Sequence, residues 1–255
     1  MDIKNKVAIV TGGASGLGKA CVDLLIQKGA CAAILDMDEK NGKEVESQYG
    51  DKVLFFKTDI SNEENVKDAI DAIMDKFNGI NFVINCAGIG TAMKVLGKDG
   101  PMSMDFFNKT ISINLTGTMN VICHATPKII ESESNSDGEK GVVINTASVA
   151  AFEGQIGQVA YTASKAAIVG ITLPMAREFA DYGIRVATIA PGIFETPMLS
   201  KLPEKVKASL AMQVPFPKRL GKPEEFAQLV CSIIENPLIN GETIRLDGSI
   251  RMSGR

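Results

Sequence analysis

KVAIVTGGASGLGKAC, residues 6–21, decides how this chain is built. A β-branched apolar run feeds a glycine-rich turn, and the turn opens into a helix-forming stretch. Glycine lets the backbone approach a ligand closely, and a helix N-terminus favours negative charge, so the outline is that of a phosphate site. Two phosphate readings compete. Gly13 to Lys19 nearly spells a P-loop, but Ala20 stands where that loop needs a hydroxyl for magnesium. The strict G-x-G-x-x-G fingerprint is missing too; the chain carries T-G-x-x-x-G-x-G through Thr11, Gly12, Gly16 and Gly18. Asp36 decides between them. It closes the next strand-like run, CAAILD (31–36), near the place, about 20 residues on, where a dinucleotide site sets a carboxylate against the adenosine ribose. That carboxylate repels a 2′-phosphate, and Met37 after it brings no positive charge. NAD is therefore expected rather than NADP.

Outward from this unit the same rhythm continues. VLFFK (53–57), NFVINC (81–86), GVVINTAS (141–148), IRVATIA (184–190) and TIRLD (243–247) read as further strands. Helical patterns lie near 17–28, 38–48, 62–77, 105–131, 158–182 and 223–235. Continuous apolar strands alternating with helices predict an α/β, doubly wound Rossmann fold. Its sheet is mostly parallel, seven-stranded and buried on both faces, and residues 1–255 form a single domain. Three segments break the rhythm: a loop insertion at 90–103, a polar surface loop at 131–141, and a proline-rich excursion at about 191–222 expected to fold over a substrate. Within that excursion Phe194, Met198, Leu199 and Leu202 are candidates for an apolar lining. Pro174 is expected to kink its helix or end the helix's first half.

Composition excludes several classes. A net charge of −3 gives no basic field for nucleic acid or anionic lipid. No apolar run approaches the roughly 18 residues of a membrane span. The five cysteines are scattered, without a CxxC pair, so neither a disulfide framework nor a metal site is expected. The one histidine, His124, lies in a helical pattern and reads as structural. Acid–base chemistry must then come from another group.

YTASK (161–165) supplies one. Tyr161 and Lys165 share a helix face. A phenol titrates near pH 10, and a neighbouring ammonium stabilises its ionised form. Ser148 ends a strand, where the ligand crevice of an open α/β sheet lies, so its hydroxyl is placed to meet a substrate oxygen. Asn114 is an amide inside a helical pattern, where it can bend the helix or hold water.

With TGGASGLG (11–18), Asp36, KTDIS, NCAG (85–88), Asn114, Ser148, YTASK and PG (191–192), the chain resembles the short-chain dehydrogenase/reductase family over essentially its whole length. The resemblance implies that Tyr161 is the general acid/base and that Ser148 orients the substrate oxygen. Lys165 would bind the nicotinamide ribose and lower the phenol's pKa, and Asn114 would hold a relay water. It implies cofactor contacts from Gly12, Ser15, Gly16, Leu17 and Gly18, then from Asp36, Asp59 and Ile60. Asn85, Cys86, Ala87 and Gly88 follow, with Tyr161 and Lys165, and then Pro191, Gly192, Phe194 and Thr196. Substrate would meet Ser148, Gln155, Tyr161, Phe194 and Leu199. The family's usual NNAG reads NCAG here, with Cys86.

Longer stretches, NTASVAAFEGQIGQVAYTASK (145–165), APGIFETPML (190–199), QVPFPKRLG (213–221) and ENPLINGETIRLDGSIRM (235–252), resemble the family's type 2 3-hydroxyacyl-CoA (type 10 17β-hydroxysteroid) dehydrogenase branch. That implies NAD-linked oxidation of acyl-CoA or steroid-like alcohols by a homotetramer in the mitochondrial matrix. The start, MDIKNKVAIV, enters a strand at once and leaves no room for a cleavable presequence. Two alternatives stay open: a 3-oxoacyl carrier-protein reductase, and a non-catalytic NAD-binding scaffold.

Overall fold

Alternate residues of each strand go to opposite apolar layers, which is how a sheet buried on both faces is recognised. Ala8, Val10, Ile34, Phe82, Ile84, Val142 and Ile144 pack in one layer with residues of the first and last long helices. Ile9, Ala33, Leu35, Val83 and Val143 pack in the other, with Val66, Ile70, Val121 and Ile122. The computed structural model describes residues 1–98, 100–200 and 203–254.

The chain runs β1 (Val7–Thr11), α1 (Gly16–Gln27), β2 (Cys31–Asp36), α2 (Glu39–Tyr49), β3 (Val53–Lys57), α3 (Glu63–Phe77) and β4 (Phe82–Asn85). A small hairpin follows, β5 (Leu96–Gly97) and β6 (Gly100–Pro101), then α4 (Met104–Ile111) and α5 (Gly117–Ile130). The second half holds β7 (Gly141–Thr146), α6 (Val159–Phe179), β8 (Ile184–Pro191), α7 (Pro197–Ser200), α8 (Glu204–Met212), α9 (Pro223–Glu235) and β9 (Thr243–Leu246). The seven-stranded sheet has the order β3-β2-β1-β4-β7-β8-β9, with every pairing parallel. Strand order reverses between β1 and β4, which opens a crevice at the carboxyl ends of the strands.

Three expectations need correction. The 90–103 insertion is more than a loop, since it carries the β5–β6 hairpin. Of the two outcomes expected at Pro174, a kink or an end, the end does not occur, for α6 continues to Phe179. Over 159–182 it is also long and apolar enough to cross a membrane by length and composition, yet it buries Ser164, Lys165 and Thr172 against the sheet. The 131–141 loop is not wholly a surface feature. Glu139 is buried and pairs with Arg185 Nε at 2.7 Å.

His124 lies on α5, where Nε2 meets Glu63 Oε1 of α3 at 3.0 Å, a helix-to-helix contact outside the crevice. Asn114 falls in a π-helical turn, Ser112–Thr116, between α4 and α5. Such a turn re-aims a side chain within a continuing helix.

Candidate active site

The crevice is a cleft of about 760 Å³, within the size range of small-molecule sites. The glycine turn and the end of β2 line one end, and Ser148, Tyr161 and Lys165 line the other.

At the first end the main chain does the shaping. Gly12 and Gly16 have φ of +66° and +55°, a region L side chains rarely adopt. A Cβ on Gly12 would stand 3.0 Å from the Ala87 backbone, and one on Gly18 would stand 2.7 Å from the Gly12 carbonyl carbon. Strand, turn and helix thus meet with no room for side chains. Ser15 caps α1 in an extended conformation without a side-chain cap hydrogen bond, and Ser15, Gly16, Leu17 and Gly18 all line the cleft. Lys19 turns away to Asp23, 2.7 Å distant, instead of reaching a phosphate as a P-loop lysine would. Asp36 accepts hydrogen bonds from Ala14 N and Asp38 N, each at 3.0 Å, which pins its carboxylate at the end of β2. Asp59 accepts from Ser61 N at 2.9 Å, and with Ile60 it forms the adjoining wall. A narrow main-chain cradle at a helix N-terminus, with a carboxylate beyond it, fits a dinucleotide without a 2′-phosphate.

The middle of the cleft is made by Cys86, Ala87 and Gly88, just past β4. Thr11 Oγ1 accepts from Ala87 N at 3.0 Å, tying this segment to β1. Two expected contacts lie behind the wall instead of on it. Asn85 is buried, and its Nδ2 donates to Asn145 Oδ1 at 2.9 Å, an amide pair at matching positions of β4 and β7. Asn114 is buried too. Its Oδ1 accepts from Ile89 N at 2.8 Å, while Nδ2 donates to Ile89 O at 3.0 Å and to Ser164 Oγ at 3.1 Å. Its amide clamps the 88–89 segment and does not itself line the cleft. Gly88 is glycine because a Cβ there would lie 3.1 Å from Asn114 Oδ1.

At the far end Ser148 follows β7, and Tyr161 and Lys165 project from the start of α6. Lys165 Nζ donates to Thr146 O at 2.7 Å and stands 5.9 Å from the centre of the Tyr161 ring. Burial lowers the Lys165 pKa to about 8. Burial also raises the Tyr161 phenol, with the Ser148 hydroxyl as the opposing influence. Cys86 is held below its usual value, first by the Cys21 thiol and against burial, with help from Thr146.

Gln155 does not line the cleft. Its Nε2 donates to Ser253 O at 3.0 Å, and Gln158 takes the place beside the catalytic end. Gln158 caps α6 three residues before Tyr161. Pro191, Gly192, Phe194, Thr196 and Leu199 line the cleft as expected. Phe194 is fixed edge-on against Phe226, with ring centres 6.4 Å apart. Leu202 and the Met198 side chain lie outside the described residues. Among the described residues, no group of three or more His, Cys, Asp or Glu side chains is placed to hold a metal.

The family model for short chain dehydrogenases matches residues 6–207. A 3-hydroxyacyl-CoA dehydrogenase type-2 from Drosophila melanogaster is 51% identical over 252 residues, covering 98% of this chain and 99% of that one. The Homo sapiens protein of the same name is 50% identical, covering 98% and 97%. The crystal structure of a 3-hydroxyacyl-CoA dehydrogenase type-2 from Mycobacterium avium superposes with a TM-score of 0.94 at 40% identity, covering 98% of each chain. A 3-ketoacyl-(acyl-carrier-protein) reductase from Brucella melitensis, complexed with NADH, superposes with a TM-score of 0.87 at 27% identity, covering 98% of this chain and 100% of that one.

Proposed function

This chain belongs to the short chain dehydrogenase family, and we propose that it oxidises the 3-hydroxyl of 3-hydroxyacyl-CoA thioesters with NAD. It is an NAD-dependent oxidoreductase, and related hydroxysteroids are candidate second substrates. One observation carries the reading: Ser148, Tyr161 and Lys165 converge at the end of the cleft away from the pinned Asp36 carboxylate.

NAD, when bound, accepts or returns the hydride at the carbon that bears the substrate oxygen. Gly12, Ser15, Gly16, Leu17 and Gly18 would hold its pyrophosphate, Asp36 its adenosine ribose, and Asp59 and Ile60 its adenine. Ala87, Gly88, Pro191, Gly192 and Thr196 would enclose the rest. Ser148 hydrogen-bonds the substrate oxygen, and the Tyr161 hydroxyl exchanges the proton there. Burial raises the phenol within the chain, and a positive charge added to the Lys165 ammonium, 5.9 Å from the ring centre, acts against that rise. An oxidised nicotinamide carries one. Lys165 binds the nicotinamide ribose, and Asn114 keeps the 88–89 wall in register behind it. Phe194 and Leu199 bound the acyl chain, and Lys94 and Lys98, exposed around the β5–β6 hairpin, meet coenzyme A phosphates. A homotetramer in the mitochondrial matrix completes the reading, as the resemblance of residues 145–165, 190–199, 213–221 and 235–252 implies.

Tyr161→Phe tests it. Turnover of a 3-hydroxyacyl-CoA should fall about 10²-fold or more while NAD binding by calorimetry persists. Unchanged turnover would remove Tyr161 from the chemistry. The carrier-protein reductase is the second reading, favoured by the superposition with that reductase. Parallel assays with CoA and carrier-protein thioesters separate the two.

A further inference from the structure

Ser148 is held by a turn beyond β7. Its Oγ accepts from Ala150 N at 3.1 Å, and Ala151 N donates to Ser148 O at 2.9 Å. Phe152 N and Glu153 N both donate to Val149 O at 3.0 Å. Glu153 is thus the far end of one hydrogen-bonded unit that begins at Ser148.

That far end is gripped from the near edge of the sheet, two strands away. Arg245, on the edge strand β9, forms a bidentate pair with the Glu153 carboxylate: Nη1 to Oε1 at 2.7 Å and Nη2 to Oε2 at 3.0 Å. The guanidinium is itself fixed. Its Nε donates to Asp247 Oδ2 at 2.8 Å, Nη2 donates to Ile250 O at 3.0 Å, and its carbon stands 5.2 Å from the centre of the Phe152 ring. The strand's tail continues along the same loop. Met252 N donates to Glu153 Oε2 at 3.2 Å, Gln155 Nε2 to Ser253 O at 3.0 Å, and Ile156 N to Gly254 O at 3.1 Å. The other cleft wall hangs on this strand too, for Gly192 N donates to Leu246 O at 2.9 Å.

We propose that Arg245 is a positioning residue for the reaction: through Glu153 it sets the Ser148 turn against Tyr161 and so governs turnover without touching cofactor. This rests on the assignment of Ser148 and Tyr161 given above. An isolated surface ion pair contributes little, but a planar fork on a carboxylate fixes direction as well as distance. Both side chains are largely shielded, at 22% and 23% exposure, and every partner of the pair lies on the turn, the strand or its tail. Arg245 foremost holds the Glu153 carboxyl below its ordinary range, against burial, so the pair stays charged through neutral pH. Lysine cannot reproduce the fork, though it keeps the charge.

The experiment compares Arg245→Gln, Arg245→Lys, Glu153→Gln and Tyr161→Phe with the parent protein in one assay, reading kcat, KM, NAD affinity and thermal midpoint. Arg245→Gln should lose about 30–100-fold in kcat, the size expected when a reacting group shifts by about 1 Å, with NAD affinity within about twofold. Glu153→Gln, which keeps the side chain's shape, should show the same split, and Arg245→Lys should recover part of the loss. The proposal is overturned if kcat in both neutral variants stays within about threefold of the parent, or if kcat and NAD affinity fall together. Inert Tyr161→Phe with normal Arg245→Gln sinks this proposal alone. Active Tyr161→Phe sinks the underlying assignment and this proposal with it.

Discussion

The two ends of the cleft are made of different material. The cofactor end is main chain: a turn at positive φ, a helix N-terminus and one carboxylate pinned by two backbone N–H groups. The other end is side chains: Ser148 after β7, Tyr161 and Lys165 from α6, and Phe194 and Leu199 from the excursion after β8. A main-chain site tolerates few changes because its atoms have no rotamers to adjust. A side-chain site can be reshaped while the sheet beneath stays intact. That is how one fold hosts many substrates on one cofactor.

The sharpest way to break this contrast is to change one residue at each end. Gly18→Ala drives a methyl against Gly12, 2.7 Å from its carbonyl carbon, so α1 and the turn must part. NAD binding by calorimetry should be lost, and the thermal midpoint should fall. Leu199→Met at the other end should leave NAD affinity within about twofold and alter only KM for the thioester. If the two variants lose NAD binding equally, the contrast fails.

Lys165 lies between the ends, and its effect should be next in size. Its folded pKa of about 8 is below its ordinary 10.5, so between those values the unfolded chain binds more protons. Stability contributed at this site therefore rises with pH across that window, and below it both states hold the proton and the cost of burial is constant. Relative to Lys165→Met, the parent should gain about 2 kcal/mol in urea unfolding from pH 7.5 to pH 10. A difference that does not change with pH removes the buried ammonium from the account.

Asp36→Ser sharpens the comparison within the cofactor end. Removing the carboxylate takes away the charge that repels a 2′-phosphate, so the preference for NAD over NADP should fall by about tenfold or more. An unchanged ratio of kcat/KM for the two cofactors would place selectivity elsewhere. The smallest effect belongs to Lys94→Ala with Lys98→Ala, exposed groups screened by water. KM for a CoA thioester should rise about threefold to tenfold, with a free alcohol or steroid unaffected. Equal effects on both substrates return the hairpin to a plain connection.

Much of this site was legible along the chain, for reasons that differ by residue. Gly12, Gly16, Gly18 and Asp36 could be read because their roles are local: a turn needs positive φ, and a strand end needs a carboxylate. Tyr161 and Lys165 could be read because helix spacing alone sets them on one face. Asn85 and Gln155 were misplaced for a common reason. Asn85 adjoins a wall residue, Cys86, and Gln155 lies three residues before another, Gln158. Which neighbour turns inward depends on strand pleat and loop path. Asn114 was recognised as a bend in a helix, but its partners, Ile89 and Ser164, come from distant parts of the chain. The pairing of Arg245 with Glu153 spans 92 residues and left no pattern to read.

The sequence by itself determined the parallel α/β order, the dinucleotide turn and the chemistry available at Tyr161, because periodicity, glycine sterics and charge act over a few residues. Tertiary structure decided which amides face the cleft, the direction in which burial moves the Tyr161 and Lys165 protons, and the grip of the edge strand on the Ser148 turn. Those depend on desolvation and on contacts between segments far apart in the chain, and both exist only after the sheet has closed.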